Sequence, residues 1–184
     1  FRMCINKCVE KKLISHNPTN GIRLSQFDEV TKEILTLKEI QKLAVTSCPN
    51  NEVKRAFLFS CYCGLRWCDV YQLRYKDVDF PARRLTIIQQ KVQTHSKSAI
   101  LHLNLNHTAL KLLQKCNGDR EDLVFSLPSY SYTIRILRKW VIDANIRKHI
   151  TFHCARHSFI TNIMANGANI KTAASLAGHS TTSH

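Results

Sequence analysis

Three separate segments of the sequence carry side chains that could act together on a phosphate group. Arg66 follows a glycine at the expected start of a short helix, and Lys91 lies at the turn end of an expected strand. His153 and Arg156 are three residues apart, so their side chains leave the same face of a helix one turn apart. His179 follows a glycine that ends the next expected helix, where a side chain can point back across a short corner.

A pocket built from these residues would suit the transition state of a phosphodiester reaction. Two arginines can hold both non-bridging oxygens through paired N–H groups, and their charge does not titrate near neutral pH. Histidines add donors or transfer protons, and a lysine can protonate the departing sugar oxygen. The sequence offers no Asp/Glu cluster for a catalytic Mg²⁺ pair, so positive side chains would take the place of a metal. We therefore expect neither a metal nor another cofactor.

Each of these residues also has an ordinary structural explanation. Arg66 could be a surface cation on a helix, and Lys91 a solvated lysine near a hairpin turn. His153 could cap its helix, and His179 could be stabilised by the dipole at a helix C-terminus. Only the order and spacing of the whole set favour the phosphate site.

The charge of the chain favours a nucleic acid as the partner. The sequence has 27 Lys and Arg against 13 Asp and Glu, a formal net charge of +14. Such a surface attracts polyanions, although a merely soluble basic protein would have the same composition. There is no acidic residue from Phe80 to Gly118, and Asp143 is the sole acid from Leu123 onward. A face built from these segments would be positive throughout, as a phosphate backbone requires.

Eight cysteines raise the question of a metal site or disulfides. The spacing of Cys61, Cys63 and Cys68 lacks the second ligand pair of a zinc finger. Free cysteines that act as small buried hydrophobic residues in a reducing cytoplasm explain the pattern better, and a zinc-binding structural protein remains the alternative. The sequence shows neither a signal peptide nor an apolar stretch long enough to span a membrane, so we expect a cytoplasmic protein.

The N-terminal part of the sequence reads as the end of an upstream domain. Residues 2–13 have helical spacing of their apolar positions, and His16-Asn17-Pro18 breaks the helix. Residues 22–35 are polar and are interpreted as a linker. We therefore expect a domain boundary near residue 26.

The remaining sequence predicts a mainly helical α+β domain with one small antiparallel sheet. Thr36 and Glu39 form a capping box that starts a helix burying Ile40, Leu43 and Ala44. A second helix spans about 52–62, and Gly64 separates it from a new short helix. Two β-rich runs, 85–90 and 99–103, are typical of a hairpin. Further helices are expected at about 106–116, 130–144, 153–166 and 169–177.

The segment CGLRWCDVYQL, residues 63–73, resembles the first arginine box of the tyrosine recombinase (phage integrase) family. That box has the form T-G-L-R-x-x-E/D-x-x-x-L, so Cys63 replaces the common threonine and Asp69 fills the acidic position. The segment from Thr151 to Ser180 resembles the second box, H-x-x-R-H followed by L-G-H-S/T. Here Ala155 and Ala177 stand where leucines are usual.

Lys91 matches the hairpin lysine of this family, although Val92 stands where threonine is common. The resemblance covers residues 33–184, and its style is closest to integrases of conjugative transposons from the Bacteroides group. It implies that residues 1–26 are the end of the core-binding domain with its linker, and that residues 27–184 are the catalytic domain. The implied partners are double-stranded DNA and further copies of the full-length protein, which form a tetramer on DNA in the bacterial nucleoid.

The resemblance also implies a role for each site residue. Arg66 and Arg156 would hold the scissile phosphate, and Lys91 would be the general acid for the 5′ oxygen. His153 and His179 would support the phosphate and assist proton transfer. Asp69 and His157 would support the site without reacting.

The family nucleophile is a tyrosine about nine residues beyond the second-box histidine, which places it near position 188, past His184. It forms a 3′-phosphotyrosyl bond, so the reaction needs neither ATP nor metal. The 184 residues alone are expected to bind DNA weakly and to cleave nothing. Two alternatives remain: a type IB topoisomerase, which shares this chemistry, and a DNA-binding relative that has lost catalysis.

Overall fold

The computed structural model describes residues 2–22, 33–88, 100–114 and 118–176. The chain forms two compact units, one up to Thr31 and one from Lys32 onward. This division falls within 23–32, outside the described residues. The assignment of the first unit to a core-binding domain stays a prediction.

The first unit contains one helix, α1, which spans Arg2–Glu10. It ends three residues before the predicted end at residue 13. The buried side chain of Asn17 fixes the turn that follows: its Nδ2 donates to Asn6 Oδ1 at 2.5 Å. Its Oδ1 accepts the backbone N–H of Thr19 at 2.8 Å. The predicted helix break at His16-Asn17-Pro18 is therefore held by side-chain hydrogen bonds.

The second unit is mainly helical. Its helices are α2 Leu37–Val45, α3 Asn51–Cys63, α4 Trp67–Tyr71, α5 His107–Leu113, α6 Tyr130–Asp143, α7 Phe152–Ala165 and α8 Ile170–Leu176, with a 3₁₀ turn at Tyr75–Asp77. Helix α3 is the centre of the core, because it packs against α2, α5, α6 and α7. Most of its side chains are buried, among them Phe57 and Phe59. The helix bounds confirm the predicted helices to within one to three residues at each end.

A three-stranded antiparallel sheet lies beside the helices in the order β1 Val78–Asp79, β2 Arg84–Ile88 and β3 Ile100–Asn104. Burial alternates along β2 and β3. On the buried face, Leu85 pairs with Leu103 and Ile87 pairs with Leu101. This pairing confirms the predicted hairpin over the strand residues that the structure describes, whereas the predicted strand residues 89, 90 and 99 lie outside them. The two-residue strand β1 was not predicted, because so short a segment carries no period-2 pattern.

The predicted capping box at the start of α2 is present. Glu39 N–H donates to Thr36 Oγ1 at 3.3 Å, and Thr36 N–H donates to Glu39 Oε2 at 2.8 Å. Ile40 and Leu43 are buried as expected. The expectation for Ala44 was wrong, because this short helix buries only the face that carries Ile40 and Leu43, and Ala44 is exposed.

The linker prediction was wrong at its C-terminal end. Leu35 is 0% exposed and belongs to the core of the second unit. Its N–H donates to Ser158 Oγ at 2.7 Å, and its carbonyl accepts from Asn162 Nδ2 at 3.1 Å. The extended segment before α2 is therefore fixed against α7. In the described ranges, no helix is long and apolar enough to cross a membrane.

Candidate active site

The turn between α3 and α4 requires a glycine at position 64. Gly64 has φ 72°, a left-handed conformation that glycine adopts without a Cβ penalty, and its N–H donates to Ser60 O at 2.8 Å. A Cβ at this position would lie 2.5 Å from Cδ1 of Phe159 on α7. The turn therefore sits directly against α7, and the carbonyl of Gly64 is available to a side chain of that helix.

That side chain is Arg156. Its guanidinium is buried, with the residue 2% exposed, and Nη1 donates to Gly64 O at 2.7 Å. Burial, reinforced by the nearby charge of Arg66, lowers the pKa of Arg156 to about 10. A group with that pKa remains charged at neutral pH. Arg156 thus joins the two arginine boxes of the sequence through one hydrogen bond across 92 positions.

Arg66 is the N-cap residue of α4 and lies partly buried beside Arg156. Its Nη1 is buried and has no hydrogen-bond partner among the described residues. An unsatisfied buried N–H group costs about 1 to 3 kcal/mol, and more on a charged side chain. A ligand that offers an oxygen to Arg66 would therefore remove a penalty that the free protein carries.

Asp69 is 6% exposed and lies close enough to both guanidinium groups for their charges to act on its pKa. It is the third residue of α4, and its Oδ1 accepts from the Cys68 thiol at 3.8 Å. Burial raises the pKa of Asp69, whereas Arg66 and Arg156 act to lower it. Asp69 Oδ2 also has no hydrogen-bond partner in the part of the chain that the structure describes.

The side chains of the two histidines at the start of α7 contact each other. The ring centroids of His153 and His157 are 4.5 Å apart, and the ring planes are nearly perpendicular. His153 is exposed and His157 is half-buried. The centroids of the Phe152 and Trp67 rings are 4.9 Å apart. This contact holds the start of α7 against the start of α4. Arg66 and His153, the sequence neighbours of these two rings, are thereby brought to the same region.

The end of strand β2 lies beside Asp69. A cleft of about 220 Å³ is lined on one side by Cys68, Asp69 and Gln72 and on the other by Ile87 and Ile88. The arrangement as a whole is two guanidinium groups near one buried carboxylate, and Arg66 Nη1 is a donor without a partner among the described residues. It can bind an oxyanion of tetrahedral shape.

The sequence profile of the phage integrase family matches residues 33–184. The chain belongs to this family. It is 31% identical over 170 residues to a tyrosine recombinase of Pseudothermotoga lettingae, covering 89% of this chain and 58% of the relative. It is 27% identical to the tyrosine recombinase XerC of Oceanobacillus iheyensis, covering 90% of this chain and 59% of the relative. This integrase chain therefore spans about three fifths of the length of the recombinases it matches.

Solved integrase structures share the fold. The integrase of transposon Tn1549, in complex with transposon right end DNA, matches with a TM-score of 0.76 at 19% identity, over 98% of this chain and 69% of that one. A lambda integrase dimer bound to a COC′ core site matches with a TM-score of 0.74 at 17% identity, over 98% and 67%. The predicted family and the predicted mainly helical fold with a small antiparallel sheet are confirmed.

The structure brings three of the predicted site residues together, Arg66, Asp69 and Arg156. His153 and His157 lie on the same helix as Arg156, with their rings in contact with each other. The other two predicted residues lie outside the described residues. Lys91 falls within 89–99 and His179 within 177–184, which the structure does not describe. The catalytic roles of all seven stay predictions.

Two contributors to the site were missed at the level of sequence. Gly64 was interpreted only as a helix break, whereas its carbonyl is the acceptor that fixes Arg156. Trp67 was not singled out, although its ring holds α4 against α7. The glycine two positions before Arg66 was a usable signal for the first of these. No local pattern predicts the second.

Three of the cysteines that the structure describes are buried, namely Cys61, Cys63 and Cys154. Cys61 and Cys63 are 4% exposed, and burial raises the pKa of Cys63 to about 12 and that of Cys61 well above its usual value. Both are therefore protonated at neutral pH in the absence of a metal. Among the described residues, no group of three or more His, Cys, Asp or Glu could hold a metal ion. Cys4 differs from the others, because it is exposed.

Proposed function

We propose that this chain is the catalytic domain of a site-specific DNA recombinase that cleaves and rejoins DNA strands through a 3′-phosphotyrosyl intermediate. The observation that carries the proposal is the pair of guanidinium groups of Arg66 and Arg156 at the Gly64 turn. Arg156 is anchored by the Gly64 carbonyl, whereas Arg66 Nη1 has no partner among the described residues. A preorganised cationic pair with an unused donor fits the charge that develops on a phosphate during transfer.

The reaction conserves the energy of the phosphodiester bond. A tyrosine oxygen attacks the phosphorus, the bond from phosphorus to the 5′ oxygen breaks, and that oxygen takes a proton. The two arginines stabilise the non-bridging oxygens, and His153 supports the same oxygens. Rejoining reverses the step with a 5′ hydroxyl of another strand as the nucleophile. None of the tyrosines in this sequence is assigned as the nucleophile.

We assign the proton donor to Lys91 and a supporting role to His179. Lys91 lies three residues beyond Ile88, and Ile88 lines the cleft that also contains Asp69. His179 lies three residues beyond Leu176, which packs against the core that Phe152 belongs to. The position of Ile88 beside Asp69 supports the assignment of Lys91, and the assignment of His179 rests on its place in the family motif.

Double-stranded DNA is the proposed substrate. The formal net charge of +14 favours a phosphate backbone, and the structural neighbours include integrases bound to transposon and core-site DNA. We further propose that the full-length protein acts as a tetramer on DNA in the bacterial nucleoid. The two alternatives, a topoisomerase and an inactive relative, receive no support from the recombinases that the chain matches.

The decisive experiment traps the covalent intermediate. The full-length protein is incubated in EDTA with a pool of duplexes whose central sequence is randomised, and protein–DNA complexes that survive SDS are recovered and sequenced. A recombinase gives covalent complexes enriched in one sequence. Enrichment of no sequence, together with relaxation of a supercoiled plasmid that lacks a site, would indicate a topoisomerase. Strand cleavage that requires added Mg²⁺ and leaves no covalent complex would instead indicate a metal-dependent nuclease.

A further inference from the structure

An aromatic cluster leads from the core to the surface next to the arginine pair. The Trp67 ring contacts three other aromatic rings. Its centroid lies 4.9 Å from that of Phe152, 5.3 Å from that of Tyr130 and 5.5 Å from that of Tyr71. Phe152 is 1% exposed, whereas Tyr71 and Tyr130 are 41% and 46% exposed. The half-buried Trp67 therefore supports two tyrosines whose rings face solvent. We call Trp67, Tyr71 and Tyr130 the aromatic surface.

The aromatic surface adjoins the candidate phosphate site through the chain itself. Trp67 directly follows Arg66, and its ring contacts Phe152, which directly precedes His153. Tyr130 is the first residue of α6, a helix without an acidic residue in its first turn. The aromatic surface is thus next to Arg66 along the chain, and Tyr130 belongs to the first turn of α6, at the positive end of its helix dipole. A ligand with an anionic group next to a flat apolar group matches this arrangement.

We propose that the aromatic surface binds an unpaired nucleobase of the nucleotide next to the phosphate held by Arg66 and Arg156. This inference rests on the proposed function, because exchange of strands requires a cleaved strand to leave its complement. The bases next to the break then lose their pairing and stacking. Stacking of such a base on an aromatic side chain contributes about 1 to 3 kcal/mol and is insensitive to sequence. The aromatic surface would therefore hold the released end near the site until it is rejoined.

The test uses the 184-residue chain and two probes that share phosphates but differ in bases: oligothymidylate and inorganic polyphosphate of the same number of phosphates. The chain has two tryptophans, and Trp140 is fully buried, so a ligand at the surface changes the fluorescence of Trp67 alone. We expect oligothymidylate to quench this fluorescence and polyphosphate to bind without quenching. Tyr71→Ala and Tyr130→Ala should each weaken oligothymidylate binding about fivefold or more and leave polyphosphate binding unchanged.

Tyr132→Ala is the matched control, because Tyr132 is 47% exposed on the same helix but lies under Arg135 instead of contacting Trp67. It should leave the ratio of the two affinities unchanged. Equal losses for both probes, or no loss for oligothymidylate, in the Tyr71 and Tyr130 variants would overturn the proposal. An effect of these variants on self-association alone, measured by sedimentation, would also overturn it and assign the surface to a second copy of the chain.

Arg66→Ala separates this proposal from the proposed function. It should weaken both probes, because it removes a phosphate ligand. If Arg66→Ala has no effect while the tyrosine variants lose oligothymidylate selectively, the phosphate site fails and the aromatic surface stands. If Arg66→Ala weakens both probes and the tyrosine variants do nothing, the aromatic surface fails and the phosphate site stands.

Discussion

Arg156 donates from Nη1 to the carbonyl oxygen of Gly64 at 2.7 Å, and both groups are buried. The bond joins α7 to the turn between α3 and α4, the turn that leads into Arg66. A buried charged donor with a carbonyl acceptor is typically worth more than a neutral hydrogen bond, and loss of either partner leaves the other unsatisfied. The same contact therefore serves both the stability of the domain and the position of its catalytic groups.

The Gly64 turn should be intolerant of a side chain. Gly64→Ala adds a Cβ in a left-handed conformation, at a cost of about 1 to 2 kcal/mol, and directs it at the Phe159 ring. Gly167→Ala is the control, because Gly167 has φ 92° and nothing within 4 Å of its Cβ position. We expect Gly64→Ala to lower the free energy of unfolding in urea by clearly more than Gly167→Ala does. Equal losses would mean that Phe159 moves aside freely.

Replacement of the two arginines should separate stability from catalysis. Arg156→Ala leaves the Gly64 carbonyl without its donor, so we expect a loss of about 1 to 3 kcal/mol in the free energy of unfolding. Arg66→Ala removes a buried donor that has no partner among the described residues, so its stability should be unchanged or higher. Both variants of the full-length protein should lose covalent complex formation. An Arg66→Ala variant as unstable as Arg156→Ala would contradict the assignment of Arg66 to a ligand.

Much of this arrangement follows from local sequence, and the part that does not is long-range. Thr36 and Glu39 determine where α2 begins, and the glycine at 64 determines where α3 ends, because caps and left-handed turns depend on a few neighbouring residues. The contacts of Leu35 with α7 and of Arg156 with Gly64 join positions about a hundred residues apart. No periodicity contains such information. The resemblance to a family predicted that the two arginines lie together. It did not predict that the Gly64 carbonyl is the acceptor that fixes Arg156.

Asp69 should make the stability of the domain depend on pH in an unusual direction. Burial raises the pKa of Asp69 above its usual 3.8, so folding takes up a proton between that value and the raised pKa. The contribution of Asp69 to stability is therefore complete below pH 3.8 and is lost as the pH rises through the raised pKa. Asp69→Asn keeps the size of the side chain and an oxygen that can accept a hydrogen bond, and it carries no charge.

The measurement is the difference in free energy of unfolding between the protein and its Asp69→Asn variant, from urea curves at several values between about pH 4 and pH 7. Titrations elsewhere cancel in this difference, and the variant should gain relative to the protein as the pH rises. A difference that moves in the opposite direction would mean that the attraction of Arg66 and Arg156 outweighs burial.

The affinity for DNA should fall steeply with salt. Each phosphate that a cationic side chain neutralises contributes about −0.9 to the slope of log K against log salt for duplex DNA. Arg66→Ala should therefore reduce the slope by about one, since it removes one phosphate contact. Lys38→Ala is a suitable comparison and should leave the slope unchanged, because this exposed lysine lies on α2, outside the segments assigned to the positive face. A slope near zero for the unmodified chain would contradict binding through a positive face.

Lys91 can be tested by a change in the leaving group. If Lys91 protonates the departing 5′ oxygen, Lys91→Ala should reduce cleavage of ordinary DNA about 10² to 10⁴-fold, the usual contribution of a general acid. A substrate with sulfur in place of that 5′ oxygen leaves as a thiolate, since a thiol has a pKa near 8.5 and needs no proton at departure. Cleavage of the sulfur substrate should therefore be similar in the Lys91→Ala variant and the unmodified full-length protein. Arg66→Ala should remain defective on both substrates, because its role lies with the non-bridging oxygens. Persistence of the full Lys91→Ala defect on the sulfur substrate would assign Lys91 to binding instead of proton transfer.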